Sequence, residues 1–259
     1  MRQIMTLIAQ ERHTYAQHPV VQFLRDATVP PAFRLAYAPY CCHWIMTFAD
    51  INNSVLRDDQ ATDPYQQIVN RHAAEDGQHW RWYLEDLERL HLNPHTTFTE
   101  AVRFLWHEQG RYAREMGYCI IGYAMRSEPL LRLVLIETLE AMGQVWFAST
   151  LEASHAWRNG PDLVYFGPHH EAREVGHAMG TDLEDIQRIE LPAALRPLAE
   201  EVVRVLFAKM AVFKTEVIEQ VKTFIAADTY PDFLAGRLLA RDSTAPDPAK
   251  NTMPQHTMR

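Results

Sequence analysis

The segment Tyr165-Phe166-Gly167-Pro168-His169-His170-Glu171-Ala172-Arg173-Glu174-Val175-Gly176-His177 restricts this chain more than any other stretch. Gly167-Pro168 offers a glycine N-cap followed by proline at the first helical position, so the spacing predicts a helix from Pro168 onward. At about 100° per residue, His170, Glu174 and His177 share a wedge of roughly 60° on that helix. Three ligand-type side chains on one face are what a metal site built from helices requires. Imidazole combined with carboxylate suits Fe, Mn or Zn better than Mg or Ca, which prefer oxygen alone. The competing reading is a solvated helix end carrying Glu–His pairs, in a chain with 13 histidines. Glu171 and Arg173 read as solvated neighbours, and His169 points off the wedge toward solvent.

A second patch of the same character lies upstream, in Arg71-His72-Ala73-Ala74-Glu75-Asp76-Gly77-Gln78-His79-Trp80. Glu75 and His79 are four apart and Asp76 and His79 three apart, so either carboxylate can share a metal with His79 on a helix. His72 stands one heptad before His79 on the same face. Trp80, Trp82, Tyr83 and Leu84 make the surrounding helix apolar, and charged groups inside such a helix need partners or a metal. An exposed acidic face is the alternative. A third ingredient is the run Leu133-Val134-Leu135-Ile136-Glu137-Thr138-Leu139-Glu140, where two carboxylates three apart interrupt an apolar stretch. Either Glu137 or Glu140 is a candidate bridging ligand.

Helical spacing recurs along most of the chain. Expected helices cover 2–17, 20–26, 32–58 with a kink or break at Pro39, 65–91, 99–115, a short 117–126, 128–157, the segment around 162–187, 195–227 and a last short helix from Tyr230 to near Arg241. No alternating pattern of strand length bounded by turn signals is present, and no repeat. The expectation is a single all-α domain of seven or more helices over residues 1–241. From Asp242 to Arg259 the composition turns polar and proline-bearing, as in disordered tails.

A net charge of −8 argues against a nucleic-acid or anionic-membrane surface. No run approaches the length of a transmembrane helix, and the first residues lack a signal-peptide core. Three cysteines, with Cys41 and Cys42 adjacent, do not form a disulfide framework and suit a reducing cytoplasm. All three read first as packing residues.

Assembled, these residues resemble the haem-oxygenase-like di-iron oxidases and oxygenases, a seven-helix single-domain bundle related to thiaminase-II-like and pyrroloquinoline-quinone-synthase-like proteins. Members typically carry a carboxylate and a His on an early core helix, a Glu on a middle helix, and His-x3-Asp/Glu-x2-His on a later one. Here His170-x3-Glu174-x2-His177 matches the last element, with Glu where Asp is more usual. The resemblance spans most of residues 10–230 in helix order. It implies two Fe(II) ions held by Glu75 (or Asp76), His79, Glu137 or Glu140, His170, Glu174 and His177, activating O2 to oxidise a small organic substrate.

Candidate pocket walls are Trp44, Phe48, Trp82, Tyr83, Tyr118, Tyr123 and Trp146. A mononuclear variant would use His170, Glu174 and His177 alone, a two-His, one-carboxylate set. Two rival readings stand beside it. One is a metal-free thiaminase-II-like hydrolase, with Cys119 as nucleophile. The other is a non-catalytic helical binding protein, with helices 99–115 and 195–227 serving a homodimer, the oligomer also expected of the oxidase.

Overall fold

The computed structural model describes residues 1–93, 95–157, 162–170 and 183–227. Glu174, His177, the expected helix 230–241 and the tail from 242 lie outside them. Among the described residues there is no strand, and the architecture is an all-α bundle. No helix among them is long and apolar enough to cross a membrane.

The centre of the bundle is the helix Pro129–Ala156, buried around most of its circumference over residues 131–142 and on one face beyond. A helix apolar on every side is stable only when surrounded. It is called α9 after α1 (Arg2–Ala16), α2 (Pro19–Arg25), α3 (Pro31–Leu35), α4 (Cys42–Asp50), α5 (Pro64–Asp76), α6 (Trp80–Arg89), α7 (Phe98–Trp106) and α8 (Arg111–Ala124). Two more follow, α10 (Leu183–Arg188) and the long α11 (Arg196–Ala227). Helices α1, α2, α3, α5, α8 and α11 all pack on α9, and α4 lies against α8.

Helix starts follow local chemistry. Asp63 accepts the amides of Tyr65 and Gln66, and Pro64 occupies the first turn of α5. Thr97 and Glu100 form a reciprocal capping box at α7. Pro129 opens α9 directly after Glu128.

Three expected helices are broken in the structure. The segment 32–58 becomes α3, a 3-10 turn at Ala38–Cys41 around Pro39, α4, and a π-helical turn at Ile51–Leu56. Helix 99–115 stops at His107, whose ψ of 168° is extended, and the expected short helix 117–126 belongs instead to α8. The segment 65–91 divides at Gly77 into α5 and α6.

The division at Gly77 has a tertiary cause. The amide of Asn53, on the π-helical turn, donates to the carbonyls of Gly77 at 3.0 Å and Ala49 at 2.9 Å. It lies so close that a Cβ on Gly77 would run into the Asn53 amide group.

A second tie joins α5 to α9. Arg132 Nη1 donates to Gln66 Oε1 at 2.9 Å, and Gln66 Nε2 donates to the Leu56 carbonyl at 2.8 Å. Further along the same two helices His72 meets Glu140, so α5 and α9 run side by side in the same sense.

Gly77→Ala should destabilise the protein by about 1–3 kcal/mol, the range for overpacked sites. A thermal melt would register this as a fall of about 2–4 °C per kcal/mol. An unchanged melting temperature would mean that the Asn53 contact does not dictate the break.

Candidate metal centre

Five ionisable side chains from three distant segments meet against α9. His72 (5% exposed) and Asp76 (2%) come from α5, His79 (6%) from the turn before α6, Glu140 (8%) from α9 and His170 (2%) from the segment after it. Nε2 of His72 lies 3.0 Å from Asp76 Oδ2 and 3.5 Å from Glu140 Oε1. Asp76 Oδ1 lies 3.7 Å from His79 Nδ1, which in turn is 3.1 Å from His170 Nε2. His72, Asp76 and Glu140 each offer a donor atom within 4.8 Å of the others.

The tautomer of His170 follows from its surroundings. Its Nδ1 is 2.9 Å from the Tyr165 carbonyl, which can only accept, so Nδ1 carries the hydrogen. The lone pair of His170 therefore sits on Nε2 and faces His79. Two nitrogen ligands of one metal, each at about 2.1 Å, would lie about 3.0–3.4 Å apart for bond angles between square and tetrahedral. The two nitrogens, 3.1 Å apart, are within hydrogen-bonding distance, with His79 Nδ1–H able to donate to His170 Nε2, and the same spacing is compatible with a shared metal. The donor atoms of His72, Asp76 and Glu140 lie close enough together to share one ion, and His79 and His170 adjoin them; imidazole combined with carboxylate is a donor type that suits Fe, Mn or Zn.

The segment carrying His170 is held by a buried clamp. Asp86 of α6, fully buried, accepts the amide of Val164 at 2.8 Å on Oδ1 and that of Phe166 at 2.9 Å on Oδ2. Burial pushes the Asp86 carboxyl up, and the amide hydrogen bonds to Phe166 and Val164 pull it partly back. Between those two amides lies Tyr165, whose carbonyl orients His170. At Gly167 a Cβ would run into the Leu163 carbonyl, so the turn into the helix at Pro168 accepts no larger residue.

Aromatic rings enclose the imidazoles. His79 stacks on Trp82 with centroids 4.5 Å apart, and His170 lies 4.1 Å from Phe147 and 4.7 Å from Tyr165. Asp76, His79, Glu140 and His170 are among the residues that line a cavity beside α9. Trp44, Ile45, Phe48, Trp146 and Met210 form much of its apolar wall, and Cys41 and Lys214 also face it.

Several sequence expectations need adjustment. Glu75 is exposed and does not line the cavity; Asp76 is the inward carboxylate. The i,i+4 relation of Glu75 to His79 presumes a continuous helix, whereas α5 ends at Asp76. Of the pair on α9, Glu140 lines the cavity and Glu137 does not. Burial pushes the Glu137 carboxyl up to about 7, with His72 opposing the rise.

His169 is exposed, as expected. Among the expected walls Tyr118 is exposed, and Tyr123 donates to Glu201 in a surface groove that also contains Cys119. Cys119 does not line the main cavity; the cysteine that does is Cys41. Glu174 and His177 lie outside the described residues. Lys214 was not anticipated, although its place four residues after Met210 and three before Val217 puts it on the apolar stripe of α11. His72, one heptad before His79 in sequence, belongs to the cluster through Asp76 and Glu140.

No family model matches this chain, and no curated protein matches it.

Two measurements test the clamp and the Glu137 assignment. Asp86→Asn should destabilise about as much as Asp86→Ala, by about 1–3 kcal/mol, because the new NH2 would face a backbone N–H and leave it unsatisfied. A melt in which the Asn variant matched the parent would remove the clamp. For Glu137, the folded state holds the proton more tightly than the unfolded chain does. Its contribution to stability is therefore full below the ordinary carboxyl range and lost as pH rises toward and through about 7. Glu137→Gln should thus gain stability relative to the parent at pH 8 and not at pH 4, read from paired denaturant titrations.

Proposed function

We propose that this chain is an O2-dependent, non-haem iron oxidoreductase acting on a small organic substrate, of the haem-oxygenase-like di-iron type. The observation that carries the reading is the convergence of His79 and His170, 3.1 Å apart at their facing nitrogens, with Asp76 and Glu140 at the wall of a largely apolar cavity and His72 in contact with both carboxylates. Asp76, Glu140, His79 and His170 would hold the metal. Glu174 and His177 enter by sequence spacing alone, as the remaining members of His170-x3-Glu174-x2-His177. Iron bound there would supply the electrons and open coordination positions that O2 activation needs.

The residues of the chain have separate tasks in this reading. His170 keeps its hydrogen at Nδ1 on the Tyr165 carbonyl, which fixes the ring and leaves Nε2 as the ligand atom. His72 Nε2 holds a hydrogen toward Asp76 Oδ2, orienting that carboxylate beside Glu140. Trp44, Phe48, Trp146 and Phe147 keep water from the reacting space and give the substrate an apolar bed. The thiaminase-like alternative draws no comparable support, since Cys119 lies away from this cavity.

Anaerobic titration with Fe(II) followed by exposure to O2 tests the proposal. Expected are one or two equivalents of tightly bound iron and a transient visible absorption on mixing with O2. His170→Ala and Asp76→Ala should each weaken iron binding by at least about tenfold, the lower end for loss of groups in or around a metal site. Glu75→Ala should leave it unchanged. Absence of tight binding of Fe, Mn or Zn overturns the reading.

A further inference from the structure

Cys41 and Lys214 face the same cavity, the thiol from the 3-10 turn Ala38–Cys41 and the amine from α11. Both are buried, at 1% and 5% exposure, and Lys214 Nζ lies 3.6 Å from Cys41 Sγ. Aromatic rings confine the amine near the sulfur. Its Nζ is 3.8 Å from the centroid of the Trp146 ring and 4.8 Å from that of Phe213. The Trp146 indole is itself held, donating to the Tyr37 hydroxyl at 3.1 Å. Burial pushes the thiol up and the amine down, so it favours the uncharged form of each. An uncharged amine carries the lone pair that a new bond to nitrogen needs.

Oxidation of a thiol passes first through the sulfenic acid, which then reacts with a neighbouring thiol or nitrogen. The other two cysteines are poorly placed for that role. Cys42 does not line the cavity and lies against the Tyr83 hydroxyl, and Cys119 lines a separate surface groove. The amine of Lys214 is the neighbour that faces Cys41. We propose that Cys41 and Lys214 form a reversible covalent redox cross-link in which one oxygen atom joins sulfur to nitrogen. A peroxide is the oxidant. One molecule of H2O2 delivers an oxygen to the Cys41 sulfur, giving the sulfenic acid and water. A second is reduced to two waters as it takes the sulfenic O–H hydrogen and one amine hydrogen, and the O–N bond forms. Each step moves two electrons from the side chains to peroxide. Loss of the oxygen would require sulfur and nitrogen at direct bonding distance; retained, it bridges the 3.6 Å gap with less movement, which the flexible four-carbon arm of lysine supplies. The product pins the turn Ala38–Cys41 to α11 at the cavity wall. The inference does not rest on the oxidase reading, since peroxide from any source serves and no metal enters the step.

Peptide mapping of the full chain by mass spectrometry tests this, after treatment with hydrogen peroxide, blocking of the remaining thiols and digestion without reductant. The peptides containing Cys41 and Lys214 should appear joined, about 14 Da above the sum of their masses, since one oxygen is gained and two hydrogens are lost. Dithiothreitol should release them as free thiol and free amine. Cys41→Ser and Lys214→Met should each abolish the cross-link, and Cys42→Ser should retain it. Cys41 left unoxidised, Cys41 oxidised with Lys214 unlinked, a link carried by Cys42 or lacking the oxygen, or a link that survives dithiothreitol overturns the inference. If Cys41→Ser or Lys214→Met does not fold, the parent decides, because fragmentation of the joined peptides places the link on Cys41 or Cys42 directly. Failure of the iron titration leaves the cross-link standing, and an unlinked pair leaves the iron centre standing.

Discussion

Ionisable groups removed from water dictate how the centre of this protein is built. Asp76, Glu140, His72, His79, His170 and Lys214 are all nearly or fully shielded from solvent. Each must be compensated by a neighbour, a hydrogen bond or a ligand, or its charged form is lost. The compensation among the described residues is uneven. Imidazoles and carboxylates sit against one another at the cavity wall, whereas the Lys214 amine, which also lines the cavity, lies against a thiol and aromatic rings.

Departures from regular helix are what aim these groups. The π-helical turn at Ile51–Leu56 carries Asn53, whose amide meets Gly77, and two residues beyond that break His79 meets His170. Asp86, on the helix that follows that break, grips the backbone on both sides of Tyr165. His79 and His170, 91 residues apart in sequence, are thus both fixed by the course of one short helix, α6. Irregular turns of this kind cost backbone hydrogen bonds and persist where side chains replace them. Here Asn53 and Asp86 are the replacements.

The continuous helix α9 has the opposite role. Its stretch 131–142 is almost wholly buried, so the position of Glu140 along it is set by packing on most sides. Arg132 and Gln66 fix the register between α5 and α9 before the chain reaches His72 and Glu140. The carboxylate and the imidazole therefore meet because two helices are locked at a point some two turns away.

Much of this was legible in the amino-acid sequence, because helical periodicity, prolines, caps and apolar runs are local properties. The all-α class, the apolar character of the run 133–142, the start of the segment at Pro168, the exposure of His169 and the inclusion of His79, Glu140 and His170 among the candidates all follow from spacing and composition. Choosing Asp76 over Glu75 did not follow, since the angle to His79 depends on a helix break that Asn53 imposes from 24 residues away. Choosing Glu140 over Glu137 did not follow either, because both share a helical face and only the neighbouring helices decide which one meets the cavity. Lys214 reads in sequence as one more cation on an amphipathic helix. Its burial at the cavity exists only after α11 has packed on α9, since periodicity specifies a face of a helix and not what that face will meet.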